Sequence, residues 1–115
     1  MTSPTQRKVT CHEIISAVTD HFGLRITDLV WHKRVRRIAY PRHITASLMF
    51  HMADKTYSEI GRRLGGRDHT TIMASVQRAD ELCEKDQDFA ADMAAIRQVL
   101  ELEFVFKSSR GKADA

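Results

Sequence analysis

At 115 residues the chain is long enough for one domain with a modest core, and too short for a multidomain machine. Eighteen Lys and Arg against fifteen Asp and Glu leave a net charge of +3. No apolar run approaches the roughly 18 residues that span a bilayer, and no signal-peptide core follows Met1, so neither a membrane span nor a secretory leader is expected.

Residues 1–8 are polar, contain Pro4 and read as a flexible N-terminus. Thr10 and Glu13 have capping-box spacing and open a first helix with Ile14, Val18 and Phe22 on one stripe, ended by Gly23. A short helix from Thr27 to Trp31 buries Leu29 and Val30. His32 to Ala39 reads as a basic loop, with Pro41 at the first position of a third helix that runs to about Ala53. Ile44, Leu48 and Met52 form that helix's apolar face.

Thr56 and Glu59 repeat the capping-box spacing, and Ile60 and Leu64 give a short fourth helix one apolar stripe. Gly65-Gly66 permits the positive-φ turn that ends it. Asp68 caps a fifth helix, which reaches about Lys85 with Ile72, Val76, Ala79 and Leu82 or Cys83 inward. A last helix from about Asp88 to Phe104 buries Phe89, Met93, Ile96 and Leu100. One domain over residues 9–106 and a disordered tail at 107–115 complete the organisation. The fold predicted is an all-α bundle of about six helices.

The fourth and fifth helices with their glycine break have helix-turn-helix grammar, in which the start of the second helix reaches base edges in the major groove. Charge agrees. Residues 31–78 hold ten Lys or Arg and three acids, net +7, whereas residues 79–106 hold two and eight, net −6. A basic centre of this kind is the footprint of phosphate binding, and the acidic helices are expected to face away from DNA.

Within that centre His69 offers ring nitrogens, Asp68 can accept from a cytosine amino group, and the Thr70 methyl can pack on a thymine methyl. Asp68 is also a sufficient N-cap, and both roles stand together. Arg67 and Thr71 suit phosphate or base contact at a helix start. Thr56 and Tyr57 are placed to touch the backbone on the other wall of the groove. Lys33, Arg34, Arg36 and Arg37 lie in the basic loop, from which an arginine can enter a narrow A·T-rich minor groove.

Gly65-Gly66-Arg67-Asp68-His69-Thr70-Thr71, preceded by Glu59-Ile60-Gly61, resembles the signature of the C-terminal DNA-binding domain of DnaA, the bacterial replication initiator. Lys33-Arg34-Val35-Arg36 and Pro41-Arg42 resemble that family's basic loop and the helix after it. The likeness runs from about Val9 to about Leu100. It implies a Trp-repressor-like helix-turn-helix fold and an asymmetric duplex site resembling TTATNCACA. It implies base reading by Arg34, in the minor groove, and by Arg67, Asp68, His69 and Thr70. Lys33, Arg36, Arg37, Arg42, Thr56, Tyr57 and Thr71 make up the expected backbone contacts. Tyr40 and Phe50 depart from the family, which commonly has a basic residue at the first and a phosphate contact at the second.

The expected function is sequence-specific double-stranded DNA binding that regulates replication initiation or transcription, in the cytoplasm at the nucleoid. No Gly-x4-Gly-Lys-Ser/Thr loop is present, so neither nucleotide binding nor an ATPase is expected. No cofactor is expected either. Cys11 and Cys83 are isolated and the six histidines form no zinc pattern, so no metal is expected. Met1 and the tails favour a natural stand-alone binder over an excised fragment. An adaptor that docks a partner, or dimerises, through the C-terminal helix and Phe104-Val105-Phe106 is the alternative. A nuclease using His69 and Asp68 would need carboxylates clustered beside the basic site, and the acids lie elsewhere.

Overall fold

A computed structural model describes the backbone of residues 9–31 and 36–114 and the side chains of residues 9–30 and 39–102. Among the described residues the chain forms helices and no strand: α1 (Cys11–Phe22), α2 (Ile26–Trp31), α3 (Arg36–His51), α4 (Tyr57–Arg63), α5 (His69–Lys85) and α6 (Gln87–Asp114). The cap chemistry accounts for where several of them begin. Thr10 Oγ1 accepts from the Glu13 N–H at 3.1 Å while Glu13 Oε1 accepts from the Thr10 N–H at 2.9 Å, a complete capping box for α1. Thr56 caps α4 by accepting from the Glu59 N–H at 3.2 Å. Gly23 ends α1 at φ 68°.

The core collects one stripe from each helix around α3, which lies against α1, α2, α4, α5 and α6. Ile14 and Val18, Leu29, Ile44, Leu48 and Met49, Ile60 and Leu64, Ile72 and Val76, and Phe89, Ile96 and Leu100 are all fully or almost fully buried. Burying a side chain of this size contributes about 1.5–3 kcal/mol against leaving it in water. The apolar periodicity therefore fixed which face of each helix turns inward.

Two elements differ from the expectation. α3 begins at Arg36, so Arg36 and Arg37 occupy the first turn of a helix rather than a loop, and Pro41 lies inside it. A proline there lacks the N–H that would bond to the Arg37 carbonyl, at a cost of about 3 kcal/mol in a free helix. Pro41 is buried, however, and Ile44, Leu48 and Met49 follow it into the core, so packing outweighs the local penalty. The Pro41 carbonyl is used a second time, accepting from Thr45 Oγ1 at 2.8 Å.

α6 is the other correction. It passes the expected end at Phe104 and continues to Asp114, so residues 107–114, read as a disordered tail, have helical backbone. No proline interrupts this stretch, and adding residues to an existing helix avoids the cost of a new nucleus. Lys33 and Arg34 lie outside the described residues, as do residues 1–8.

Candidate nucleic-acid interface

The turn between α4 and α5 is built by two glycines with different tasks. Gly61, on α4, offers its carbonyl to both the Gly66 N–H at 2.9 Å and the Arg67 N–H at 2.8 Å. A Cβ on Gly61 would sit 2.0 Å from the Arg67 carbonyl oxygen, so no larger residue fits without moving the turn. Gly65 has φ 87°, and a Cβ there would sit 2.5 Å from the Val30 carbonyl oxygen. The turn is thus pressed against α4 on one side and the end of α2 on the other.

Two arginines complete that junction. Arg42 Nε donates to the Leu29 carbonyl at 2.9 Å, and Arg67 Nη1 donates to the Val30 carbonyl at 3.0 Å and also to the Leu64 carbonyl. These carbonyls belong to the last turn of α2 and the end of α4, where no intrahelical donor is available. Burial pushes both guanidinium groups below their ordinary pKa, and for Arg42 the charge of Arg67 adds to the effect. Arg42 Nη2 is buried with no partner among the described residues. Arg42 and Arg67 therefore bind the fold together, a role that the sequence reading missed.

The start of α5 is the reverse. His69, Thr70 and Thr71 are exposed in its first turn. Asp68 caps the helix by accepting from the Thr70 N–H at 3.0 Å and from the Thr70 hydroxyl. These Thr70 bonds, with a smaller contribution from the neighbouring His69, hold the Asp68 carboxyl below the usual carboxylate range. The Thr70 hydroxyl proton is thereby engaged by Asp68. His69 Nδ1 lies 3.7 Å from Asp68 Oδ1, and the two side chains are 59% and 63% exposed. Three of the expected base readers, Asp68, His69 and Thr70, thus stand together at the surface, while Arg67 turns away from them.

At the other wall, Thr56 is exposed at the start of α4 and Tyr57 is half-buried. The Tyr57 ring stacks on Phe50, centroids 4.7 Å apart and planes inclined by 11°. Phe50 thus has a structural consequence: an aromatic pair joins α3 to α4. Tyr40 meets Phe89 of α6 edge-on at 5.3 Å, which ties the beginning of α3 to the beginning of α6. Arg36 and Arg37 are carried by the first turn of α3. Among the described residues no His, Cys, Asp and Glu side chains gather in a group of three that could hold a metal, and no helix is long and apolar enough to cross a membrane.

Residues 11–79, from the start of α1 into α5, match the family model described as the bacterial dnaA protein helix-turn-helix. The chain is 42% identical over 97 residues to the chromosomal replication initiator protein DnaA of Roseobacter denitrificans, covering 84% of this chain and 21% of that protein. It is 41% identical over 97 residues to the DnaA of Cereibacter sphaeroides, with the same coverage. The DnaA of Gluconobacter oxydans is 40% identical over 95 residues, 83% of this chain and 20% of the relative. The chain spans about a fifth of the length of these curated relatives. It belongs to the bacterial DnaA helix-turn-helix family, and the domain is of the DNA-binding type.

Proposed function

We propose that this domain recognises asymmetric duplex sites resembling TTATNCACA and through them influences replication initiation or a promoter. The observation that supports the reading is the first turn of α5, where Asp68, His69 and Thr70 are exposed on a helix start packed closely from behind at Gly61 and Gly65. Direct readout needs this combination, because a base edge rewards a donor or acceptor only when its position is fixed.

His69 supplies a ring nitrogen, Asp68 a carboxylate oxygen and Thr70 a methyl to the CA-containing end of the site. Arg34, from the basic segment between α2 and α3, is assigned to the A·T-rich end through the minor groove. Thr56, Tyr57 and Thr71 then contact the backbone directly, with Lys33, Arg36 and Arg37 supplying charge. Arg67 and Arg42 act in this reading by positioning the turn. Nothing in the recognition requires a nucleotide.

A partner-docking role retains one supporting observation, the exposure of Val99 and Leu102 on α6, 44% and 61% respectively. Binding to a box duplex, a scrambled duplex and the unpaired box strand separates the readings. Box recognition predicts the order box, scrambled, single strand; equal binding to all three would leave only a charged surface.

A further inference from the structure

We propose that His43, Ser75 and Arg78 form a second DNA-backbone subsite at the junction of α3 and α5, where the His43 imidazole takes up a proton as it binds a phosphodiester. The proposal rests on the DNA-binding reading above and adds to it a contact made by the flank of the recognition helix.

Geometry gives the subsite its shape. His43 Nδ1 lies 3.1 Å from Ser75 Oγ, a hydrogen bond between the scaffold helix and the recognition helix. This bond fixes the ring, and Nε2, the other nitrogen, has no partner among the described residues. His43 as a whole is half-buried rather than enclosed. Thr71, Ser75 and Arg78 follow one another at i, i+4 and i+7 along α5. That row runs beside the buried stripe of Ile72, Val76 and Ala79, on the flank facing α3. It begins with Thr71, an expected backbone contact, and ends with a guanidinium. A hydroxyl, a fixed imidazole and an arginine in one row are donors suited to successive oxygens of a phosphate backbone.

The electrostatics supply the proton linkage. Burial, and after it the charge of Arg78, lowers the His43 pKa from its usual 6.5, so the free protein keeps the ring neutral at physiological pH. Among the described residues Arg78 of α5 is the charged group that acts on His43, and it is itself paired with Glu81 at 3.2 Å. Tyr40 is the titratable neighbour on α3, its ring centroid 6.4 Å away, and Phe89, which Tyr40 meets on α6, carries no charge. A phosphate arriving at Nε2 reverses this balance. Its negative charge favours the imidazolium, and Ser75 Oγ can then accept from the protonated Nδ1.

The test is the His43 titration followed by its imidazole C–H resonances, in the free domain and in the complex with a duplex. It is joined to affinities from about pH 8 to about pH 5.5 on box and scrambled duplexes. The expected result is a His43 pKa that rises on DNA binding, with affinity for both duplexes tightening as pH falls. Each unit of rise corresponds to about tenfold in affinity. His43→Gln keeps a neutral donor and should flatten this part of the pH dependence on both duplexes alike, whereas His69→Ala should leave it in place. A His43 pKa that stays low in a tight complex, or a His43→Gln variant with the full pH dependence, would overturn the proposal while leaving DNA binding intact. Failure to bind either duplex at any pH would instead overturn the reading on which it rests.

Discussion

The two ends of the Gly65–Thr71 segment carry similar polar side chains and use them in opposite ways. At its beginning, Arg67 reaches back to the Val30 and Leu64 carbonyls, beside Arg42 on the Leu29 carbonyl. At its end, His69 and Thr71 stand exposed in the first turn of α5. One residue, Asp68, separates them, and its N-cap bonds to Thr70 mark where the chain stops bracing the fold and its side chains become exposed. Charge in a DNA-binding sequence therefore has two destinations. An arginine that caps an interior helix end braces the exposed turn from behind, so under the proposed function its count in a basic patch overstates the number of phosphate contacts.

The largest effect that would break this contrast is steric. Gly61→Ala places a Cβ 2.0 Å from the Arg67 carbonyl oxygen. It should cost about 3 kcal/mol of stability, at the upper end for overpacking, because backbone rather than a flexible side chain must move. Chemical denaturation measures the loss, and an unchanged midpoint would mean that the turn is not braced against α4.

Next in size is Arg67→Ala. It leaves the half-buried Val30 and Leu64 carbonyls without their donor and should cost about 1–3 kcal/mol of stability. Binding to box and scrambled duplexes should weaken together. Loss confined to one base pair of the box, with the melting temperature unchanged, would return Arg67 to the base-reading role.

A smaller effect comes from pH. The His43 pKa is lower folded than unfolded, so the folded state binds its proton less readily. Its contribution to stability is complete above the unfolded value of 6.5 and declines as pH falls from there toward the folded pKa. The free domain should therefore melt at a lower temperature at about pH 5.5 than at about pH 7.5, by less in His43→Gln. An equal loss in the two proteins would assign the effect to other groups.

Much of this was legible in the sequence because it depends on local rules. Capping spacings placed the starts of α1, α4 and α5, and i, i+4 periodicity selected Ile14, Leu48, Ile72 and Phe89 for the core. The signature also located the exposed turn at Asp68, His69 and Thr70. What escaped was non-local. Nothing near Arg67 in sequence says that the end of α2, thirty-seven positions back, needs a donor. Pro41 looked like a helix start because the packing that carries it inside α3 comes from other helices. His43 and Ser75 are thirty-two positions apart, and only the crossing of α3 with α5 makes them partners. Gly61 was read within the family signature, yet its double carbonyl contact has no sequence pattern of its own.

The most direct test of the account is the affinity of His69→Ala for a box duplex and a scrambled duplex, with helicity checked against the parent chain. Loss of a fixed base contact predicts a cost of about 1–3 kcal/mol on the box and little on the scrambled duplex. Equal weakening on both would contradict it, and would make the exposed turn of α5 another grip on the backbone rather than the part of the protein that reads sequence.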